Sequence, residues 1–398
     1  MTMKPMMHTY LDHNASTPVW EEALNAMREA LGVDANPSSP HAPGRRARAI
    51  IDTAREQTGG LLRVSPLAVV FTSGGAEANG LALAQAVPLG AKRLLVSAGE
   101  HPCVLQHAAA HSLPTRIVQL DKNGCMDLDD LDAALCESDD IAFLACMAAN
   151  NETGAIQPIE QAAERMHGAG GFIHCDAVQT IGRIPFYPAD YNLDFCALSA
   201  HKMGGPAGVG ALACLRETLE MPPPFQGVIL GGGQERGWRS GTENIAGIAG
   251  LGAAASLAPA RFETFNKLGQ LRGKLEDELV SSGNVTIFSK GANRMPNTSC
   301  FAMNDTTQAA KAESSIIALD LMGIAVSSGS ACSSGKLAPS HVLTAMGVGS
   351  HLAQNALRIS LGWQTTRADI ERFLESWQEL ASRIKTKENQ KTLEPCLH

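Results

Sequence analysis

The sequence predicts an α/β protein: a mostly parallel sheet covered by helices on both faces, followed by a smaller α+β domain. Three observations predict it. From Lys92 onward, short apolar runs alternate with helical stretches, as in sheets whose crossovers pack on both faces. Polar residues stand just past several of these runs, at Glu100-His101, Asn150-Asn151-Glu152 and Asp176, where an open α/β sheet binds ligands. After Ala258-Pro259 the alternation gives way to a long charged helix and short strands. We place the boundary there, with 15–258 as the large domain and 1–14 with 259–398 as the small one. A chain of 398 residues suits that division.

The elements follow in order. Residues 10–18 form a polar, turn-rich segment in which Thr17 is suited to cap a helix with Pro18 at its first position. Leu24, Met27 and Leu31 then recur at helical spacing until Gly32. A loop over 36–41 leads to a second helix over 45–60. Strands are predicted at 69–71, 93–97, 117–120, 141–147, 172–176, 195–199 and 209–214, each an apolar run too short for a helix. The second domain should hold a helix over 261–281, strands at 285–288 and 298–302, a helix over 312–322, strands at 324–326 and 357–361, and a helix over 367–384.

Composition excludes several classes. Hydrophobic residues make up 44% and charged residues 18%, which describes an ordinary globular chain. Lys and Arg number 32 against 40 Asp and Glu, and no basic block stands out, so nucleic acid is not an expected direct partner. The first ten residues lack the apolar core of a signal peptide, and no uninterrupted apolar run reaches a membrane span. None of the ten cysteines lies within four residues of another, so no CxxC pair offers a metal site. Cys146, Cys175, Cys196 and Cys214 sit in apolar runs as small core residues. A cytoplasmic enzyme without membrane association is the expectation.

Four stretches carry chemistry. Asp176 ends one strand and Lys202 follows another, so neighbouring strands would aim a carboxylate and an amine into one crevice. That pairing is the protein half of a pyridoxal phosphate site: a Schiff-base lysine and an acid facing a pyridinium nitrogen. A structural salt bridge is the plainer reading. Thr72-Ser73-Gly74-Gly75 joins a strand to a helix starting near Ala76, leaving backbone N–H groups for an anion. The long loop 231–244 holds Arg236 and Arg239 among glycines, and loops of that size usually carry function. Small residues flank Cys332 on both sides, as suits a thiol that must reach its target and react as thiolate.

Taken together, stretches 11–18, 36–48, 71–83, 100–105, 150–158, 174–182, 199–212, 231–244, 296–299, 327–334 and 356–366 resemble, in order, those of the cysteine desulfurases. These are pyridoxal phosphate enzymes of the class V aminotransferase family. The short Cys332 stretch followed by Pro339-Ser340-His341-Val342-Leu343 resembles the group serving iron–sulfur assembly and nitrogenase maturation. The resemblance implies fold type I, with a seven-stranded, mostly parallel sheet in the large domain. It implies that Lys202 holds the cofactor, Asp176 pairs with the ring nitrogen, His101 stacks on the ring and assists proton transfer, and Gln179 bonds the ring hydroxyl. The phosphate would be held by Gly75, Ala76, Ser199 and His201, and by Thr242 from a second subunit, which implies a homodimer. Asn151, beside the cofactor, and Arg358 would orient the carboxylate of L-cysteine.

The implied reaction converts L-cysteine to L-alanine, leaves sulfur on Cys332 as a persulfide and delivers it to an acceptor protein in iron–sulfur assembly or thiolation. Another lyase or transaminase of the same fold would keep Lys202 and Asp176 without needing Cys332. A catalytically silent sulfur-transfer scaffold would dispense with Lys202 or Cys332. Selenocysteine lyase activity would use the same crevice. Three positions depart from the family pattern: Ala76 where threonine is usual, His13 where asparagine is usual, and Trp363 where arginine is common.

Overall fold

A computed structural model describes residues 8–215, 227–282, 284–304, 311–329 and 339–393, with side chains described through residue 383. Its centre is a seven-stranded sheet in the order Val69–Thr72, Gly210–Cys214, Phe195–Ser199, Phe172–Asp176, Ala142–Ala145, Arg93–Ser97, Thr115–Val118. Only Gly210–Cys214 runs against its neighbours; the remaining pairings are parallel. Alternate residues of each strand enter opposite cores, as a period of two requires. Phe71, Leu95, Leu144, Ile173, Cys175 and Leu198 face one apolar layer. Val70, Leu94, Val96, Phe143, Ala145 and Ala197 face the other. Both faces are thus covered, so the central strands read as unbroken apolar runs. Cys146, Cys175, Cys196 and Cys214 are fully buried in these layers.

The C-terminal part builds an antiparallel sheet in the order Ser327–Ser328, Leu357–Ser360, Thr298–Met303, Val285–Ile287. The N-terminal strand Thr9–Tyr10 pairs in parallel with Ile324–Ala325, and Asp12 bridges to Ser360. The polar segment after Tyr10 therefore starts beside this sheet and crosses to the large one, where Thr17 N–H donates to His201 O. That crossing is what brings residues 12–16 to the site.

Two expectations need correction. The helix predicted to begin at Arg261 begins at Ile245 and runs unbroken to Ser281, so the boundary we drew near 258 falls inside it. Pro259 does not stop it, because tertiary packing outweighs the lost N–H. By length and composition this helix could cross a membrane. Yet Leu251, Ala254, Ala255 and Ala258 are buried in the core it shares with Ala23, Ile51 and Ala54, so it behaves as a core helix. The second correction concerns Thr17, which caps nothing. The first helix starts at Glu21 with Trp20 at the N-cap position and no capping side chain. Thr17 Oγ1 instead bonds His13 Nδ1 at 2.7 Å.

Two of the unusual residues have structural accounts. A Cβ on Gly362 would fall 2.1 Å from the His13 ring, so the imidazole packs closely against a residue without a side chain. Burial lowers the His13 pKa to about 4, and the ring stays neutral. Trp363 stacks edge-on to Trp20, with ring centroids 5.1 Å apart, and lies 5.0 Å from Phe265. It joins the apolar clusters of the two sheets.

Candidate active site

Strands Phe172–Asp176 and Phe195–Ser199 are parallel neighbours, with Asp176 opposite Ala197, so both end at the same sheet edge. Past that edge the chain turns through Ala200–Lys202, and the helix Gly75–Leu83 points its N-terminus at the same place. The result is a cavity of about 550 Å³. Gly75, Ala76, His101, Asn151, Asp176, Gln179, Ser199, His201, Lys202 and Arg358 all line it. Thr242 does not; it is exposed elsewhere in this chain. Cys332 lies outside the described residues, but Ser327 and Ser328, just before it in sequence, are part of the wall.

Lys202 and Asp176 differ sharply in their surroundings. Lys202 Nζ donates to Asn14 O and, at 2.8 Å, to Ala15 O. Burial, then the charges of Arg183 and Arg358, lower its pKa to about 7, so a large share of the amine is neutral at physiological pH. Asp176 accepts from Val178 N–H at 3.0 Å and from Asn79 Nδ2 at 2.7 Å. Burial raises its pKa, while those two bonds, His101 and Lys202 pull it back.

His101 caps the helix Pro102–Ala109, its Nδ1 accepting Cys103 N–H at 3.2 Å. The neutral ring therefore carries its proton on Nε2. Its surface opens onto the cavity, but the surrounding protein excludes enough water to lower its pKa. Cys103 Sγ lies 3.0 Å from the same nitrogen, and burial pushes that thiol up to about 11, so it stays protonated.

The opposite end of the cavity suits a phosphate. No side chain caps the helix Gly75–Leu83, which leaves N–H groups facing the cavity. A Cβ at Gly75 would fall 2.9 Å from Val178 Cγ2, so glycine lets the wall close up there. Ser199 adds a hydroxyl. His201 is held neutral, its pKa lowered to about 4 by burial and by Lys202 and Arg183. An amine, a buried carboxylate, an open imidazole face and an anion cradle in one cavity match what pyridoxal phosphate requires.

At the substrate end, Arg358 sits on strand Leu357–Ser360, opposite Ser327. Its Nη2 pairs with Asp12 Oδ1 at 2.7 Å and its Nη1 donates to Asn151 O at 3.1 Å. These bonds fix the guanidinium plane and leave the buried Nε without a partner among the described residues.

Sequence reasoning missed three supporting residues. Arg183, fully buried, donates to Asn14 Oδ1 at 2.8 Å, His13 O at 2.8 Å, Gln179 Oε1 at 2.5 Å and Lys202 O at 2.9 Å. One guanidinium thus ties the N-terminal segment to both site strands. Gln179 also donates to Asn14 O at 3.2 Å, so its orientation is set before any ligand arrives. Asn79 accepts from His174 Nε2 at 2.8 Å; burial keeps that histidine neutral, with a pKa lowered to about 3. Asn14 and Asn79 lay within stretches that already resembled the family's, 11–18 and 71–83, whereas Arg183 gave no local signal.

Comparison with known proteins agrees with this geometry. The model of the aminotransferase class-V family matches residues 9–373. A cysteine desulfurase of Cereibacter sphaeroides is 40% identical over 93% of this chain and 95% of its own length. The NifS-like protein of Rickettsia africae superposes with a TM-score of 0.85 at 33% identity, covering 94% of this chain and 99% of that one. A structure described as SspA in complex with cysteine gives a TM-score of 0.74 at 28% identity, covering 88% and 98% of the two chains.

Proposed function

The chain belongs to the class-V aminotransferases, among the cysteine desulfurases, and on that premise we propose how its own residues take sulfur from cysteine, as a cytoplasmic homodimer carrying pyridoxal phosphate. One observation carries the proposal: the near-neutral amine of Lys202 shares a cavity with buried Asp176 and the uncapped N-terminus of Gly75–Leu83. Lys202 would hold the cofactor covalently, with Asp176 at its ring nitrogen, His101 over the ring and Gln179 at the ring hydroxyl. Gly75, Ala76, Ser199 and His201 would hold its phosphate, with Thr242 reaching in from the second subunit.

When bound, the cofactor supplies an electron sink for a carbanion at the substrate Cα. The protein does the rest. Arg358 and Asn151 orient the carboxylate of L-cysteine, the guanidinium being already fixed by Asp12. The amine of Lys202, displaced from the cofactor by the amine of the substrate, would accept the Cα proton, being in large share unprotonated near neutral pH. The Cys332 thiolate attacks the substrate sulfur. The C–S bond breaks with its electron pair toward carbon, an S–S bond forms on Cys332, and the carbon skeleton leaves as alanine after taking up one proton at Cβ and regaining the Cα proton from Lys202. Cys332 is four residues beyond Ser328, so the intervening chain spans at most about 14 Å. Its persulfide would pass to an acceptor protein, an iron–sulfur scaffold or a thiolation protein.

The test is alanine and sulfide release from L-cysteine with a reductant, wild type against Cys332→Ala. The variant is expected to keep the absorbance of bound cofactor and release no sulfide. Equal release from both would remove Cys332 from the reaction and favour an ordinary lyase.

A further inference from the structure

Glu152 is a buried carboxyl that the reaction above does not use. It is 3% exposed, at the turn following Asn151. Its backbone N–H is fixed by Asn150 Oδ1 at 2.9 Å, so the turn that carries it is rigidly tied. Its Oε2 accepts the hydroxyl proton of Ser340, which is itself fully buried. The same oxygen lies 3.0 Å from where a Cβ on Gly329 would stand, so Gly329 packs directly on the carboxyl. Burial pushes this carboxyl up to about 7, against the pull of the Ser340 bond and the Arg358 charge.

Gly329 is the last described residue before the Cys332 stretch, just after strand Ser327–Ser328, and Ser340 follows Pro339 on its far side, at the N-cap of helix His341–Ala345. That hypothetical Cβ would also lie 3.6 Å from Ser340 Cβ, so the flanks touch each other on the carboxyl. Each is tied down separately as well. Gly329 N–H donates to Ala356 O at 3.3 Å, and His341 Nε2 donates to Glu100 O at 2.9 Å. A carboxyl buried at a cost in desolvation, with its hydrogen bond directed across that junction, is an expensive way merely to fill space.

We infer that Glu152 is a positioning residue for sulfur transfer: its carboxyl joins Gly329 and Ser340, on either side of the stretch that carries Cys332, and so fixes the two points between which that stretch is held. The inference rests on Cys332 being the sulfur acceptor. Glu152 is not part of the cavity lining; it acts through the chain that presents the thiol. Its loss should therefore slow persulfide formation while substrate binding is kept. Misplacing a reacting group by about 1 Å can cost on the order of a hundredfold in rate.

The experiment compares wild type, Glu152→Ala, Glu152→Gln and Cys332→Ala, all loaded with cofactor. Persulfide on Cys332 is followed by alkylation and mass shift, alongside kcat, KM for cysteine and the absorbance change on adding cysteine. Glu152→Ala should lose about tenfold or more in persulfide formation and kcat, with KM and the absorbance change near wild type. Glu152→Gln should restore most of the rate, because an amide oxygen still accepts the Ser340 hydroxyl. Should Glu152→Ala not accumulate as folded protein, Gly329→Ala presses a methyl on the same carboxyl and should give the same loss. Wild-type persulfide formation in Glu152→Ala, or equal losses in the Ala and Gln variants, would overturn the inference. Sulfide release by Cys332→Ala would instead overturn the role of Cys332.

Discussion

Asn79 lends Asp176 a hydrogen bond: its Nδ2 donates to Asp176 Oδ2 at 2.7 Å, across 97 residues of sequence. The other half of the amide is held by His174, one strand register below Asp176, so the amide cannot turn over. His174 has a pKa lowered to about 3 by burial, and as a neutral donor it specifies which end of Asn79 faces the carboxylate. The Asn79 bond thereby opposes the upward push that burial gives the pKa of Asp176.

Asn79→Ala should therefore leave a buried carboxylate short of one donor. The expected cost is about 1–3 kcal/mol of folding stability, together with weaker cofactor binding, because a more readily protonated Asp176 pairs poorly with a ring nitrogen. Denaturant unfolding of the apoprotein and a cofactor titration check the two effects separately. Unchanged values in both would mean that water or a neighbour replaces the amide without loss.

The pKa of Lys202 sets a pH dependence. Folding lowers it from 10.5 to about 7. The nucleophile is the unprotonated amine, so the rate at which the apoprotein takes up pyridoxal phosphate should rise with pH through a midpoint near neutrality. The linkage has a definite sign. Between the folded and unfolded pKa values the unfolded chain holds the extra proton, so this group's contribution to stability grows as pH rises from about 7 toward 10.5. Stopped-flow uptake across pH 6 to 10, on the order of one point per half unit, reads the midpoint directly. A midpoint near the usual lysine value would contradict the desolvated site.

How much of this was legible beforehand depended on the range of the interactions involved. Asp176 and Lys202 could be placed because each ends or follows an apolar run, and strand ends in such sheets meet at one edge. Some strand limits followed from the same runs, Phe172–Asp176 and Phe195–Ser199 matching residue for residue, whereas the strand predicted at 117–120 lies at Thr115–Val118 and that predicted at 141–147 is confined to Ala142–Ala145. The helix through Pro259 was misread because local rules stop helices at proline, whereas packing against Ala23 and Ile51 decides there. Thr17 was misread for a similar reason, its hydroxyl being claimed by His13. Arg183 could not be read at all, and Asn79, though inside the resembling stretch 71–83, could not be paired with Asp176. Their partners lie 169 and 97 residues away, and a buried arginine looks locally like any helix-turn arginine.

Ala76 offers a test in the gaining direction. It occupies the second position of the helix Gly75–Leu83, exposed to the cavity at the end assigned to phosphate. The alanine supplies a backbone N–H there but no hydroxyl. Ala76→Thr would add a donor to a charged group, worth about 1.5–3 kcal/mol in favourable cases. Against this stands the lower helix propensity of threonine, a cost of roughly half a kcal/mol. The expected net gain is about 1–2.5 kcal/mol, or roughly fivefold to sixtyfold in cofactor affinity, measured by fluorescence titration of the apoprotein. Ala76→Val controls for shape, since it carries the same branching without the hydroxyl. Tightening by threonine and not by valine would identify the hydroxyl as the cause. Equal tightening by both would point to packing. No change with threonine would mean that this helix end does not meet the phosphate, and the assignment of Gly75 and Ala76 would fall with it.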